Sequence, residues 1–195
     1  MIESKLIPNA LFADKNLKSV NKLKEFAGIE HSASMNQTHS DLIAFVESPQ
    51  IYDSDGIYTE KLKLGLVVQT ADCMPILLSD KRRIGAIHSG WKGLNKNIVK
   101  KAIKKFDVNR LSISIGPHAQ SCCYEIKDDV KKHFYNYTEL RDGKFFLNMS
   151  QILKDLSKEQ GFQIEVSSIC TICNSSYNSY RENKTAERQF GIIWR

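Results

Sequence analysis

Residues 64–93, LGLVVQTADCMPILLSDKRRIGAIHSGWKG, decide the fold prediction for this chain. Within them, residues 64–69 and 83–87 form short runs that read as buried strands. The first run leads into Thr70-Ala71-Asp72-Cys73-Met74-Pro75 and the second into His88-Ser89-Gly90-Trp91-Lys92-Gly93. A strand end holds a side chain rigidly, and the loop after it leaves that side chain reachable. The two runs therefore predict a reactive site at the edge of a sheet.

Similar patterns predict strands and helices along the rest of the chain. Strands are expected over 43–47, 64–70, 75–79, 83–88, 111–115, 163–169 and 190–194, and helices over 16–27, 94–106, 127–136 and 149–160. Several strands follow each other without a helix between them, which favours a mixed sheet over a doubly wound parallel one. The predicted fold class is α+β: a single compact domain, residues 1–195, with one or more mixed β-sheets flanked by helices.

Composition argues against several classes of protein. The chain is 42% hydrophobic and 26% charged, as is usual for a globular domain. No apolar run approaches the roughly 20 residues that a membrane span needs, and residues 1–5 begin no secretory signal, so we expect a cytoplasmic protein without a membrane partner. A net charge of +6 would permit nucleic-acid binding. The lysines, however, are spread over helix faces, which favours a solvated surface that attracts small anions. We therefore expect no nucleic-acid partner.

Three side chains form a candidate metal site. His39, in Gln37-Thr38-His39-Ser40, joins Cys73 and His88 to give one thiolate and two imidazoles. Zinc accepts such a set and keeps a fourth position open for chemistry. Taken alone, Cys73 could be a small buried hydrophobe and His88 a structural histidine. Asp72 favours the functional interpretation because a carboxylate at a strand end needs a polar partner.

The other cysteines are interpreted as structural. Cys170-Thr171-Ile172-Cys173 is a C-x-x-C, which is half of a structural zinc site, and the sequence shows no second half beside it. Cys122 and Cys123 are neighbours, and neighbours on a strand face opposite sides, so at least one is expected to pack. The chain has five cysteines, which is an odd number, and its sequence shows no secretion signal. Both observations argue against a disulfide framework.

Taken in order, these motifs resemble the laccase-domain purine nucleoside phosphorylases, a family formerly labelled multicopper polyphenol oxidoreductases. The resemblance runs from about residue 37 to the C-terminus. Besides the runs already quoted, it rests on Asp53-Ser54-Asp55-Gly56, Gly116-Pro117, Cys122-Cys123-Tyr124-Glu125, Cys170-Thr171 and Ser179-Tyr180-Arg181. The chain departs from the family pattern at Ser40, Lys92 and Glu187. Lys92 keeps the positive charge of the usual arginine but loses its two-pronged geometry.

The resemblance implies an α+β cytoplasmic enzyme with zinc held by His39, Cys73 and His88. It also implies phosphorolysis of adenosine, inosine, guanosine and methylthioadenosine, combined with deamination of adenosine. For deamination we expect zinc-activated water to attack the purine carbon that carries the amino group, with Asp72 moving protons. The residues expected to hold substrate are Lys92, Arg181 and Arg188 for phosphate, and Trp91 and Tyr124 for the purine.

Other functions fit parts of the same pattern. A metal-free cysteine hydrolase would use Cys73 as nucleophile and His88 as its base. A copper phenol oxidase, as the older family label suggests, needs more histidines than five scattered ones without an H-x-H pair. A non-enzymatic regulatory module is the third alternative.

Overall fold

The computed structural model describes residues 1–195, which form fifteen strands and six helices. In chain order the strands are Ile2–Glu3 (β1), Ala10–Phe12 (β2), His31–Met35 (β3), Ile43–Phe45 (β4), Ile51–Tyr52 (β5), Gly56–Thr59 (β6), Leu64–Thr70 (β7), Met74–Ser79 (β8), Ile84–Ser89 (β9), Ser112–Ile115 (β10), Glu125–Ile126 (β11), Thr138–Arg141 (β12), Lys144–Leu147 (β13), Gln163–Val166 (β14) and Gln189–Ile193 (β15). The helices are Val20–Ala27 (α1), Trp91–Asn95 (α2), Ile98–Ile103 (α3), Asp128–Lys131 (α4), Met149–Gln160 (α5) and Tyr180–Asn183 (α6). None of the six has the length and apolar character that crossing a bilayer requires.

Most strands belong to two six-stranded sheets. The first sheet has the order β1-β2-β15-β7-β3-β5 and the second β14-β10-β8-β9-β6-β4, while β11-β13-β12 form a small third sheet. Both large sheets are mixed: β3 runs parallel to β7, and β10 runs parallel to β14 but antiparallel to β8. The predicted α+β class with mixed sheets is confirmed.

The two large sheets share one core and have helices outside them. On β8, Leu77 packs in the core shared with the first sheet, whereas Ile76 packs in the larger core under α3 and α5. On β7, Leu66 faces the second sheet and Val67 packs with α1. The layers are therefore α1, first sheet, second sheet, and then α3 with α5. Because β7 and β8 are buried on both faces, their sequences are continuously apolar rather than alternating.

Three predicted helices are shorter than expected, and the one predicted over 16–27 begins only at Val20. The helix predicted over 94–106 is divided into α2 and α3 because Asn97 adopts a left-handed backbone with φ of 62°. The helix predicted over 127–136 is only the single turn of α4, followed by a 3-10 turn at Tyr135–Tyr137.

The helix predicted over 149–160 is confirmed as α5. The Asn148 side chain accepts the N–H of Gln151, which satisfies a free donor at the helix start. Gly161, with φ of 84°, ends the helix in a left-handed conformation that glycine adopts without strain.

His118 follows β10 and is completely buried. Its Nδ1 donates to the Gly116 carbonyl at 2.8 Å, while its Nε2 has no hydrogen-bond partner. Protonation of Nε2 would therefore place an unpaired charge in the interior. Burial accordingly lowers the pKa of His118 from 6.5 to about 4.

We expect His118 to make the fold less stable in mild acid. As the pH falls, His118 becomes protonated near pH 6.5 in the unfolded chain but only near pH 4 in the folded chain. The stability that depends on neutral His118 is therefore fully present above pH 6.5 and is lost progressively as the pH falls from 6.5 to about 4. Between about pH 7.5 and about pH 5 the loss is about 2 kcal/mol of unfolding free energy. Denaturant unfolding of the parent and of His118→Gln at both pH values measures it. An equal acid loss in the two proteins would contradict this assignment.

Candidate functional site

Three connections between the two large sheets meet at one edge of the sandwich. The connection from β3 to β4 carries His39, that from β5 to β6 carries Asp55, and that from β7 to β8 carries Cys73. His88 lies near the end of β9, opposite Pro75 in the β8–β9 pairing. The topology therefore brings together side chains that are far apart in the sequence.

The predicted metal-binding trio, His39, Cys73 and His88, converges in the structure. The potential ligand atoms of the three residues all lie within 4.8 Å of one another. His39 Nε2 is 3.8 Å from Cys73 Sγ, and the two imidazole rings meet edge to face with centroids 4.9 Å apart. A Cβ built on Gly90 would lie 2.6 Å from Cys73 Sγ, so the glycine leaves room for the thiol. One thiolate and two imidazoles at this separation fit zinc; their role as ligands stays a prediction.

A buried carboxylate that sequence reasoning left without a role organises the trio. Asp55 is completely buried and accepts the N–H groups of Thr38 at 3.1 Å, His39 at 3.0 Å and Ser40 at 2.6 Å. These bonds hold the connection in which His39 itself has a left-handed backbone with φ of 61°. The Asp53-Ser54-Asp55-Gly56 motif was the only signal in the sequence, and it did not distinguish the buried carboxylate from the exposed one.

Asp55 also fixes the orientation of His88. Its Oδ1 is 2.7 Å from His88 Nδ1, and its carbonyl accepts the His88 N–H at 2.7 Å. With Nδ1 paired, Nε2 is the ring nitrogen left to face Cys73. A carboxylate behind a histidine is the usual outer partner of a metal-ligating imidazole, because it fixes the tautomer and increases the basicity of the ring.

Cys73, His88 and Asp55 have strongly altered pKa values. Burial acts to lower the pKa of His88, but hydrogen bonds with Asp55 and Cys73 raise it to about 9. Burial acts to raise the pKa of Cys73, but hydrogen bonds with His39 and His88 lower it to about 7. Burial likewise opposes ionisation of Asp55, yet hydrogen bonds from His88 and Ser40 hold its pKa well below its usual range. The site therefore favours the Cys73 thiolate, which is the form that binds metal, whereas His88 has to release its Nε2 proton to act as a ligand.

The trio lines a cavity of about 640 Å³, within the range of small-molecule sites. All of the predicted substrate-binding residues line this cavity as well: Trp91, Lys92, Tyr124, Arg181 and Arg188. Further lining residues were not predicted: Met35, Asn36, Gln37, Gln69, Tyr180 and Lys184. Of these, Gln37 donates to the Gln69 carbonyl at 2.7 Å and accepts the Gln69 N–H at 3.0 Å, which fastens the His39 connection to β7.

The cavity wall is cationic. Outside the trio, its charged side chains are those of Lys92, Arg181, Lys184 and Arg188 on the positive side and Asp72 on the negative side. Arg181 lies 5.0 Å from the centre of the Tyr124 ring and donates to the Glu125 carbonyl at 2.7 Å. A wall with this charge balance attracts an anion into the cavity.

Asp72 is nearly buried and joins three segments of the wall. It adopts a left-handed backbone with φ of 85°. Its Oδ1 accepts the Thr171 hydroxyl at 2.8 Å, and its Oδ2 accepts the Arg181 N–H at 2.6 Å. These contacts give Asp72 a positioning role between the β7–β8 connection and α6, and its predicted role in moving protons stays a prediction.

Comparison with known proteins agrees with the motifs and the fold. The family model described as multi-copper polyphenol oxidoreductase laccase matches residues 13–195. A Clostridium acetobutylicum protein named purine nucleoside phosphorylase is 35% identical over 193 residues, covering 90% of this chain and 81% of the relative. An Aquifex aeolicus protein of the same name is 33% identical over 179 residues, covering 88% and 86%.

A solved structure supports the fold independently. The crystal structure of YlmD from Geobacillus stearothermophilus superposes with a TM-score of 0.87 at 19% identity, covering 98% of this chain and 94% of that one. At that identity the similarity concerns the fold alone. The motif resemblance is confirmed by the match over residues 13–195 and by relatives of more than 30% identity. The chain belongs to the multi-copper polyphenol oxidoreductase laccase family.

Proposed function

We propose that this protein is a zinc-dependent purine nucleoside phosphorylase. The proposal covers adenosine, inosine, guanosine and methylthioadenosine as nucleosides, with deamination of adenosine as a second activity. The observation that carries it is a single cavity in which His39, Cys73 and His88 lie beside four cationic side chains and one carboxylate. The names of the relatives from Clostridium acetobutylicum and Aquifex aeolicus support the same reaction.

The cationic wall suits phosphate. In phosphorolysis a phosphate oxygen attacks the anomeric carbon of ribose while the bond from that carbon to the purine nitrogen breaks, which gives ribose 1-phosphate and the free base. Lys92, Arg181 and Arg188 would hold the phosphate, whose negative charge stabilises the positive charge that develops on the ribose. Placement and electrostatics then supply most of the rate enhancement.

Aromatic residues of the same cavity suit the purine. Trp91 offers a flat face, and Tyr124 is largely buried under Arg181. Burial raises the pKa of Tyr124, so its hydroxyl stays neutral and can donate a hydrogen bond. Zinc held by the trio would supply Lewis-acid chemistry beside the base. Asp72 lies next to Cys73 and would take and return protons during deamination.

One assay tests the proposal directly. Zinc-loaded protein is incubated with adenosine, with and without phosphate, and adenine, inosine and hypoxanthine are resolved. We expect adenine and ribose 1-phosphate only with phosphate, and inosine in both conditions. Inosine, guanosine and methylthioadenosine are then tested with phosphate. Absence of phosphate-dependent base release from every nucleoside would overturn the phosphorylase assignment.

Replacement of Lys92 by alanine is expected to weaken phosphate binding selectively. Loss of one cation from the wall removes a charge-assisted contact, so the KM for phosphate should rise about tenfold while the KM for adenosine changes little. Initial-rate kinetics with each substrate varied in turn measure the two effects. Lys100→Ala, which removes an exposed lysine of α3 outside the cavity, serves as the matched control. Equal effects on both KM values would place Lys92 away from phosphate.

A metal-free cysteine hydrolase is a second candidate because Cys73, His88 and Asp55 also form a nucleophile, base and orienting acid. The reactivity of Cys73 toward iodoacetamide distinguishes the hydrolase from the zinc enzyme. A free thiolate with a pKa of about 7 reacts readily, whereas a metal-bound one is protected until a chelator is added. Rapid alkylation of Cys73 in zinc-replete protein, with no change on chelation, would favour the hydrolase.

A further inference from the structure

The four cysteines outside the trio form a second cluster. The sulfur atoms of Cys122, Cys123, Cys170 and Cys173 all lie within 4.8 Å of one another, and none is in a disulfide. The expectation that Cys122 or Cys123 packs away was based on a strand. Residues 121–123 form a turn instead, and a turn allows neighbouring side chains to face the same point. The structure thereby supplies the second pair that the C-x-x-C lacked in the sequence.

We propose that these four thiols hold a structural metal ion, with zinc as the expected occupant. Four sulfurs around zinc lie about 2.3 Å from the metal, and a tetrahedron of that size separates them by about 3.8 Å. None of the separations between the four sulfur atoms exceeds 4.8 Å, which is compatible with a cage of this size. An iron–sulfur cluster interposes several atoms between its cysteines and needs a wider cage. Full coordination by protein marks the site as structural and leaves no position for substrate.

The local backbone is arranged to stabilise a thiolate. Residues 171–173 form a turn that follows Cys170, and the Gln120 N–H donates to Cys170 Sγ at 3.5 Å. The backbone N–H groups of Ile172 and Cys173 are further donors to the Cys170 sulfur. Amide donors around a cysteine sulfur are the outer contacts that a metal-bound thiolate uses.

The cluster connects two segments of the cavity wall. Cys123 precedes Tyr124, and Thr171, which donates to Asp72 at 2.8 Å, lies between Cys170 and Cys173. The same segments are joined by the Thr171 N–H, which donates to the His118 carbonyl at 3.1 Å. A metal ion here would fix Tyr124 and Asp72 relative to each other without touching substrate. This inference goes beyond the proposed function and does not depend on it.

Metal counting on the full-length chain tests the proposal. Native mass spectrometry in non-denaturing buffer should show two zinc ions on the parent chain. Cys73→Ala should keep the ion at the four cysteines, and Cys170→Ser should keep the ion at the trio. Because Cys170 is buried and its replacement could prevent folding, Cys122→Ser and Cys173→Ser, both at exposed positions, provide further variants. Each should lower the affinity of one ion and leave the other bound.

Cobalt substitution reports the donor set independently of activity. In Cys73→Ala loaded with Co²⁺, we expect the intense sulfur-to-cobalt absorption of a tetrathiolate site, and we expect Cys173→Ser to weaken it. A parent chain with one zinc ion that disappears in Cys73→Ala would overturn the proposal. If the parent chain instead binds no second ion and its mass is four hydrogens below that of the fully reduced chain, the four cysteines form two disulfides. That result would also overturn the proposal. Neither result bears on whether the trio supports phosphorolysis.

Discussion

Replacement of Cys73 by alanine is expected to remove one metal ion per chain and to abolish nucleoside turnover. Cys73 is the only thiolate among the three donors that lie within 4.8 Å of one another, and two imidazoles alone bind zinc far more weakly. Loss of a catalytic metal removes several kcal/mol of transition-state stabilisation, so turnover should fall at least about a thousandfold. Elemental analysis and the phosphorolysis assay measure the two losses on the same preparation.

The control for this variant lies at the far end of β8, the strand that begins directly after Cys73. Ser79 ends β8, away from the cavity, so Ser79→Ala should keep both metal content and turnover. Circular dichroism and thermal unfolding of both variants show whether the fold is retained. If the trio's metal remains fully bound in Cys73→Ala, then Cys73 is not a ligand and the proposed site is wrong.

Replacement of Asp55 by asparagine is expected to weaken metal binding 10- to 100-fold, roughly the cost of losing an outer partner of a ligating histidine. An asparagine side chain has one oxygen where the carboxylate has two. It cannot accept from Thr38, His39 and Ser40 while also accepting from His88. The buried donor left unpaired should further lower the free energy of unfolding by about 1–3 kcal/mol. Competition with a chromogenic chelator gives the affinity, and denaturant unfolding gives the stability.

Asp53→Asn provides a matched control within the same motif. Asp53 accepts the Asn36 side-chain amide at 2.9 Å on the protein surface, and it lies outside the cavity. Its replacement should change neither metal affinity nor stability beyond a few tenths of a kcal/mol. Equal behaviour of the two variants would mean that Asp55 does not organise the trio.

The sequence alone predicted the centre of the fold and the residues of the trio. The apolar runs of β7 and β8 were recognisable because both of their faces are buried, and His88 was recognisable because it lies near the end of β9, another buried strand. The short strands of the first sheet, such as β3 and β5, carry no comparable pattern. Their positions depend on long-range pairing, which a local pattern cannot report.

Local patterns also fail where a backbone turn decides the geometry. Asp53 and Asp55 look alike in the sequence, and only the connection between the two sheets buries the second of them. The side chains of Cys122 and Cys123 face the same cluster, and not opposite sides as on a strand, because residues 121–123 form a turn. Asn97 interrupts a run that is otherwise helical in character, since one residue with a left-handed backbone is enough to redirect the chain.

The connections that carry His39, Asp55 and Cys73 each cross from one large sheet to the other, so the spacing of these side chains depends on how the sheets are aligned. Sliding of one sheet over the other by a fraction of an ångström would change that spacing, although no residue near the cavity had been altered. Substitutions in the shared interior, at Leu66 or Leu77 for example, are therefore expected to change the affinity of the proposed metal site from a distance. The packing between the two sheets therefore sets the distances between the side chains of the site.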